Sequence, residues 1–96
     1  MYGTVARLRV KAGKEAEFQQ LGTALGRTKV PGSVALYVYR LDAAPNEFYL
    51  AVVFSDKAAY ERNADSPEQE ARFQQLMALL DGEPEWHDGE VIASSH

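Results

Sequence analysis

The sequence predicts an α+β domain, a four-stranded antiparallel sheet with its helices on one face. Three observations carry this expectation. Apolar residues alternate, then recur every three to four positions, then alternate again, in the order strand, helix, strand, strand, helix, helix, strand. The breaks between these segments are short and marked by Gly, Pro, Asn or Asp, so consecutive elements lie side by side. The 96 residues, 46% hydrophobic and 25% charged, amount to one ordinary globular domain. The βαββααβ order with antiparallel strands is the ferredoxin-like plan.

The first strand spans about 2–11, with Thr4, Ala6, Leu8 and Val10 on one face and Val5, Arg7, Arg9 and Lys11 on the other. Gly13 ends it. Phe18, Leu21 and Leu25 then form one stripe of a helix over about 14–28, which Gly22 and Gly26 each weaken by about 1 kcal/mol relative to Ala. Pro31-Gly32 is a turn, Ser33 to Leu41 is rich in Val and Tyr as strands are, and Asp42 to Asn46 reverses the chain into Glu47 to Phe54. Ser55 and Asp56 are caps for a short helix through Ala64. Ser66-Pro67-Glu68-Gln69 combines an N-cap hydroxyl, proline at the first helical position and Gln69 placed to close a capping box. Phe73, Leu76, Met77 and Leu80 give that helix its buried stripe, and Asp81-Gly82 ends it. The last strand runs from Glu85 to about Ile92. The domain is therefore 1–96, ordered over about 2–92, with residues 93–96 a frayed polar tail.

Composition excludes several kinds of chemistry. Without Cys there are no disulfides, thiolate nucleophiles or iron–sulfur ligands. A net charge of −4 gives no electrostatic reason to bind nucleic acid or anionic lipid. Arginines at 7 and 9 interrupt any signal-like apolar core, and the apolar run 48–54 is far short of the roughly 20 residues a membrane-spanning helix needs. A cytoplasmic protein with no membrane and no nucleic-acid partner is expected.

One feature departs from a sheet with one wet face. Phe48 to Phe54 is apolar on both faces, and Val34, Leu36 and Val38 oppose Ala35, Tyr37 and Tyr39. Helices on one side leave the other as an exposed apolar patch of a size monomers seldom carry, so a homodimer packed sheet to sheet is expected.

Lys11-Ala12-Gly13-Lys14-Glu15 after the first strand, the Val52 to Tyr60 junction, and the closing Pro84-Glu85-Trp86-His87-Asp88-Gly89-Glu90-Val91 together resemble the antibiotic biosynthesis monooxygenase (ABM) domain family, over nearly the whole chain. The resemblance implies a dimeric α+β barrel. The family includes cofactor-independent quinol or anthrone oxygenases, haem-degrading enzymes, quorum-signal modifying enzymes and members without assigned activity.

Measured against the haem-degrading branch, the places of its Asn, Trp and His are occupied by Ala6, Asn63 and Phe73, so the axial ligand is missing and no haem is expected. Measured against the oxygenase branch, Tyr60, six residues after Phe54, matches the family's Tyr, while Phe54 stands for a Trp, Leu50 for an Asn, and Gln74 lies where an Arg would, with Arg72 two residues away. That chemistry needs a dry pocket with donors that stabilise a substrate phenolate or enolate, which then gives an electron to O₂. Tyr60, Asn63 and His87 are the candidate catalytic residues, and Tyr49, Phe54, Phe73 and Met77 the candidate pocket lining, with no metal and no cofactor.

Each candidate also has a plainer reading. Tyr60 suits a core aromatic with its hydroxyl satisfied near the surface, and Asn63 a local backbone cap. Trp86 suits an anchor of the last strand against the partner. His87 shares a face with Glu85 and Gly89, so only Glu85 is placed to join it as a local metal ligand, and His96 is terminal. Glu68, Glu70 and Arg72 read as a solvated helix face, and Arg7 and Arg40 as partners at the subunit contact or for an anionic ligand. The leading expectation is a cofactor-independent monooxygenase acting on a small aromatic, quinol or polyketide-like substrate. The alternatives are a non-catalytic small-ligand-binding or structural dimer, and an isomerase-like or signal-modifying enzyme using His87 or Tyr60 for proton transfer.

Overall fold

The alternation in the first segment translates directly into burial: Thr4, Ala6 and Leu8 of β1 (Tyr2–Arg9) are buried, while Val5, Arg7 and Arg9 are exposed. The computed structural model describes residues 1–95. The remaining elements are α1 (Glu15–Arg27), β2 (Ser33–Arg40), β3 (Glu47–Phe54), α2 (Lys57–Ala64), α3 (Pro67–Leu79) and β4 (Glu85–Glu90). They form the expected βαββααβ chain, with one antiparallel sheet in the order β2-β3-β1-β4.

Register assigns the two faces. On the side of Thr4, Ala6 and Leu8 lie Val52, Leu50 and Phe48 of β3, Leu36, Val38 and Arg40 of β2, and Asp88 and Trp86 of β4. All three helices pack there. Ala6, Leu8, Val10, Phe48, Phe18 of α1 and Leu80 after α3 form the buried core, with Leu50, Leu76, Met77 and Leu79 against it. The Phe18 and Phe48 rings meet at 4.5 Å in a tilted pair. The other face carries Val5, Ala35, Tyr37, Tyr39, Tyr49, Ala51 and Val53 with no helix above it. Val5 is 49%, Tyr37 61% and Tyr39 58% exposed. Arg7 and Arg9 edge this face and share Glu47 Oε1, at 2.8 and 3.3 Å. Their hydrogen bonds hold the Glu47 carboxyl below its ordinary range, and Glu47 in turn raises Arg7.

Local details correct the sequence reading. Asp56 caps α2, its Oδ1 accepting from the Ala59 N–H at 2.7 Å, and Ser55 takes no part in the cap. Ser66 caps α3 through the Gln69 N–H with Pro67 in the first turn, as expected. The capping box stays open, because the Gln69 side chain accepts from Asn63 and Arg72, and the Ser66 N–H already donates to the Asn63 carbonyl. Strand β4 ends at Glu90, short of Ile92, after which Val91 N–H donates to the Met1 carbonyl. The frayed-tail expectation for His96 lies outside the described residues.

One glycine fixes how α2 approaches the sheet. Gly32 has φ +81°, and a Cβ there would lie 2.6 Å from Ala59 Cβ, while the Ser55 N–H donates to the Gly32 carbonyl at 2.8 Å. Gly32→Ala is expected to destabilise the fold by about 1–3 kcal/mol, because strained backbone and the α2 contact are both affected. Urea unfolding checks this, and a change within 0.5 kcal/mol (about the size seen at neutral surface sites) would contradict it.

Candidate functional site

Two turns of α2 carry the two candidates that the fold keeps together, Tyr60 and Asn63, three residues apart on neighbouring parts of the helix surface. They serve different surroundings. Tyr60 reaches toward β1 and β4: its ring stacks on Phe54 at 5.6 Å and tilts against Tyr2 at 5.3 Å, and its hydroxyl donates to Asp88 Oδ1 at 3.0 Å. Asp88 is there because β4 pairs with β1 in the register that sets it opposite Thr4. Thr4 is 6% exposed, and its hydroxyl has no hydrogen-bond partner among the described residues. A buried hydroxyl without a partner costs about 1–3 kcal/mol.

Burial first, and then hydrogen bonding to Asp88, push the Tyr60 phenol up to about 12. The Thr4 hydroxyl works in the opposite direction, without reaching the geometry of a full hydrogen bond. Tyr60 is therefore a neutral donor at physiological pH. Phe73 and Trp86, with ring centres 6.4 Å apart, form a second aromatic pair between α3 and β4. Trp86 thus lies on the helix-covered face, where it remains 41% exposed.

Asn63 faces α3. Its Nδ2 donates to Gln69 Oε1, its Oδ1 accepts from Arg72 Nη2, and Arg72 Nε also donates to Gln69 Oε1, all at 3.2 Å. Its backbone carbonyl accepts from the Ser66 hydroxyl at 2.7 Å. Asn63 thus does more than cap a helix end, and Arg72 is part of a partly buried side-chain network, not a solvated face. This network borders a cavity of about 430 Å³ between α2, the start of α3 and the segment leading to Pro31. Tyr60 is not in its wall.

Two of the remaining candidates, His87 and Tyr49, lie away from Tyr60. His87 sits on the open face, 3.8 Å from Glu85 through Nε2, with both side chains more than half exposed. The sheet separates it from the phenol. Among the described residues no three His, Asp or Glu side chains converge to hold a metal ion; His96 lies outside the described residues. Tyr49 is also on the open face, away from Phe54, Phe73 and Met77. Phe54, 3% exposed, borders Tyr60, and Met77 packs on the core. Arg7 is paired with Glu47 within the chain, and Arg40 lies on the helix side with its guanidinium 5.6 Å from the centre of the Phe48 ring.

Thr4, Asp88 and Gln69 are the residues that sequence reasoning missed. Thr4 did carry a signal, as the one hydroxyl in an otherwise apolar stripe. Asp88 shares the alternation of Trp86, but its neighbourhood depends on a long-range pairing.

Among curated proteins, none matches the chain significantly. Solved structures share the fold at low identity. A variant of SnoaB, a cofactor-independent oxygenase from Streptomyces nogalater, has a TM-score of 0.84 and 22% identity over 97% of this chain and 94% of that one. A conserved protein from Methanosarcina mazei has a TM-score of 0.80 and 24% identity over 92% and 89%. The Mycobacterium tuberculosis protein Rv0793 has a TM-score of 0.82 and 14% identity over 99% and 98%. The family model for antibiotic biosynthesis monooxygenase matches residues 1–84, and with the βαββααβ sheet and its helix-covered face already in place, the chain belongs to the antibiotic biosynthesis monooxygenase family.

Proposed function

We propose that the protein is a cofactor-independent monooxygenase acting on a small aromatic, quinol or polyketide-like substrate, and that it works as a cytoplasmic homodimer with the open sheet faces packed together. The observation that carries the reaction is the Tyr60–Asp88 pair beside the orphaned Thr4 hydroxyl, in surroundings made by Tyr2, Phe54, Phe73 and Trp86. Asp88 accepts the substrate proton. The displaced Tyr60 hydroxyl and the free Thr4 hydroxyl then donate to the substrate oxyanion beside the Tyr2 and Phe54 rings. The anion gives an electron to O₂, the radicals combine to a hydroperoxide, and loss of water leaves a new carbonyl. For a ring methylene the sum is R₂CH₂ + O₂ → R₂C=O + H₂O, with one oxygen atom in each product.

In this reading Asn63 orients Arg72 and Gln69 behind α2. His87 belongs to the open face, where its place in the reaction would require the partner chain. Family membership and the likeness to an oxygenase fold support the proposal.

Two measurements test it. Oxygen consumption with a panel of hydroquinones and anthrones is expected for the native protein, with kcat lowered about 10²-fold by Tyr60→Phe. Thr4→Val is expected to lower kcat as well, while raising stability by about 1 kcal/mol, because it removes an unsatisfied buried hydroxyl. No consumption with any substrate contradicts the reaction, and a destabilised Thr4→Val protein contradicts the role given to Thr4. In alkaline titration, one of the five tyrosines should ionise near pH 12, and Tyr60→Phe should remove that phase. Because its folded value lies above the unfolded one of 10.0, the stabilisation linked to Tyr60 is complete below pH 10 and is lost as pH rises through about 12. A single tyrosinate phase centred near pH 10, with no phase near pH 12 for Tyr60→Phe to remove, would contradict the buried, Asp88-bound phenol.

A further inference from the structure

The cavity behind α2 has a charge pattern that the proposed reaction does not use. Its wall contains Lys29, Arg62 and Arg72, which in a chain of net charge −4 is a local excess of positive charge. None of the ion pairs among the described residues includes any of these three. Glu68 borders the same cavity but pairs with none of them.

Arg72 is the informative member. Its Nε and Nη2 are fixed by the neutral oxygens of Gln69 and Asn63, which orient the guanidinium without neutralising it. Its Nη1 makes no hydrogen bond among the described residues. Amide oxygens, unlike a carboxylate, leave the guanidinium charge uncompensated and available to an anion in the cavity. The same lining also includes the apolar residues Val30, Pro31 and Ala59.

We propose that this cavity of about 430 Å³ binds a small organic anion, with a carboxylate or phosphate head held by Arg72, Arg62 and Lys29 and an apolar body of ring size against Val30, Pro31 and Ala59. The site is separate from the Tyr60–Asp88 pair, neither of which lines it, and does not rest on the oxygenase reading. Its failure leaves that reading untouched, and the reverse also holds.

The test is a nuclear magnetic resonance titration of the full chain with benzoate, with phenyl phosphate and with neutral benzyl alcohol. The expected result is saturable binding of at least one anion with a Kd of about 1 mM or tighter, with amide shifts centred on Val30, Arg62, Asn63 and Arg72. The two anions distinguish a carboxylate from a phosphate head. The double variant Lys29→Ala/Arg62→Ala, whose residues are exposed, should weaken that anion by about tenfold or more, while Arg27→Ala, an exposed cation outside the cavity, should not. Folding of each variant is read from the same spectra, and Arg62→Ala alone replaces the double variant if that one unfolds. Binding of benzyl alcohol equal to that of the anions, shifts centred elsewhere, a Kd weaker than about 1 mM or indifference to the cation substitutions would overturn the proposal.

Discussion

Strand β3 sits inside the sheet, between β2 and β1, and is apolar on both sides. Phe48, Leu50, Val52 and Phe54 lie beneath the helices, where Phe48 and Phe54 are almost fully buried. Tyr49, Ala51 and Val53 face the other way, with Val5, Tyr37 and Tyr39 beside them and no helix among the described residues to cover them. Three helices on one side of a four-stranded sheet can cover only one of its two apolar faces. The other face is the constraint behind the proposed pairing of two chains, and a stable pair buries about 800 Å² on each partner.

The same inequality shapes the site. On the covered face, β1 and β4 hold Thr4 and Asp88 opposite each other at one end of the sheet, where the helices thin out and Trp86 is 41% exposed. Helix α2 is pinned there by the Asp56 cap and by the close approach of Gly32 to Ala59. That leaves the Tyr60 hydroxyl little choice of partner. Tyr60 is a packed aromatic whose hydroxyl is satisfied by Asp88, and in the proposed reaction the same arrangement holds that hydroxyl ready to donate. The other side of α2 uses Asn63 to aim Arg72, and so one short helix supports two chemically different surfaces.

How much of this was legible in the sequence depended on the range of the interactions. The faces of β1 followed from alternation, and the start of α3 from Ser66 and Pro67, because both are local effects. The two-sided character of β3 was equally plain. Parity also placed His87 away from Trp86 and Asp88, and would have placed Tyr49 away from Phe54 had it been applied there. What stayed hidden depended on distant pairing: Thr4 beside Asp88 requires the β1–β4 register, and the open capping box arises because Asn63 and Arg72 compete for Gln69. Trp86, read as a contact for a partner, finds Phe73 within its own chain.

Sedimentation equilibrium at micromolar concentration reads the central constraint most directly. The account predicts a mass equal to two chains, since only a second copy brings a matching apolar sheet face of the same size. A mass equal to one chain, in a folded protein that stays soluble, would contradict it and would mean that Val5, Tyr37 and Tyr39 are tolerated in water.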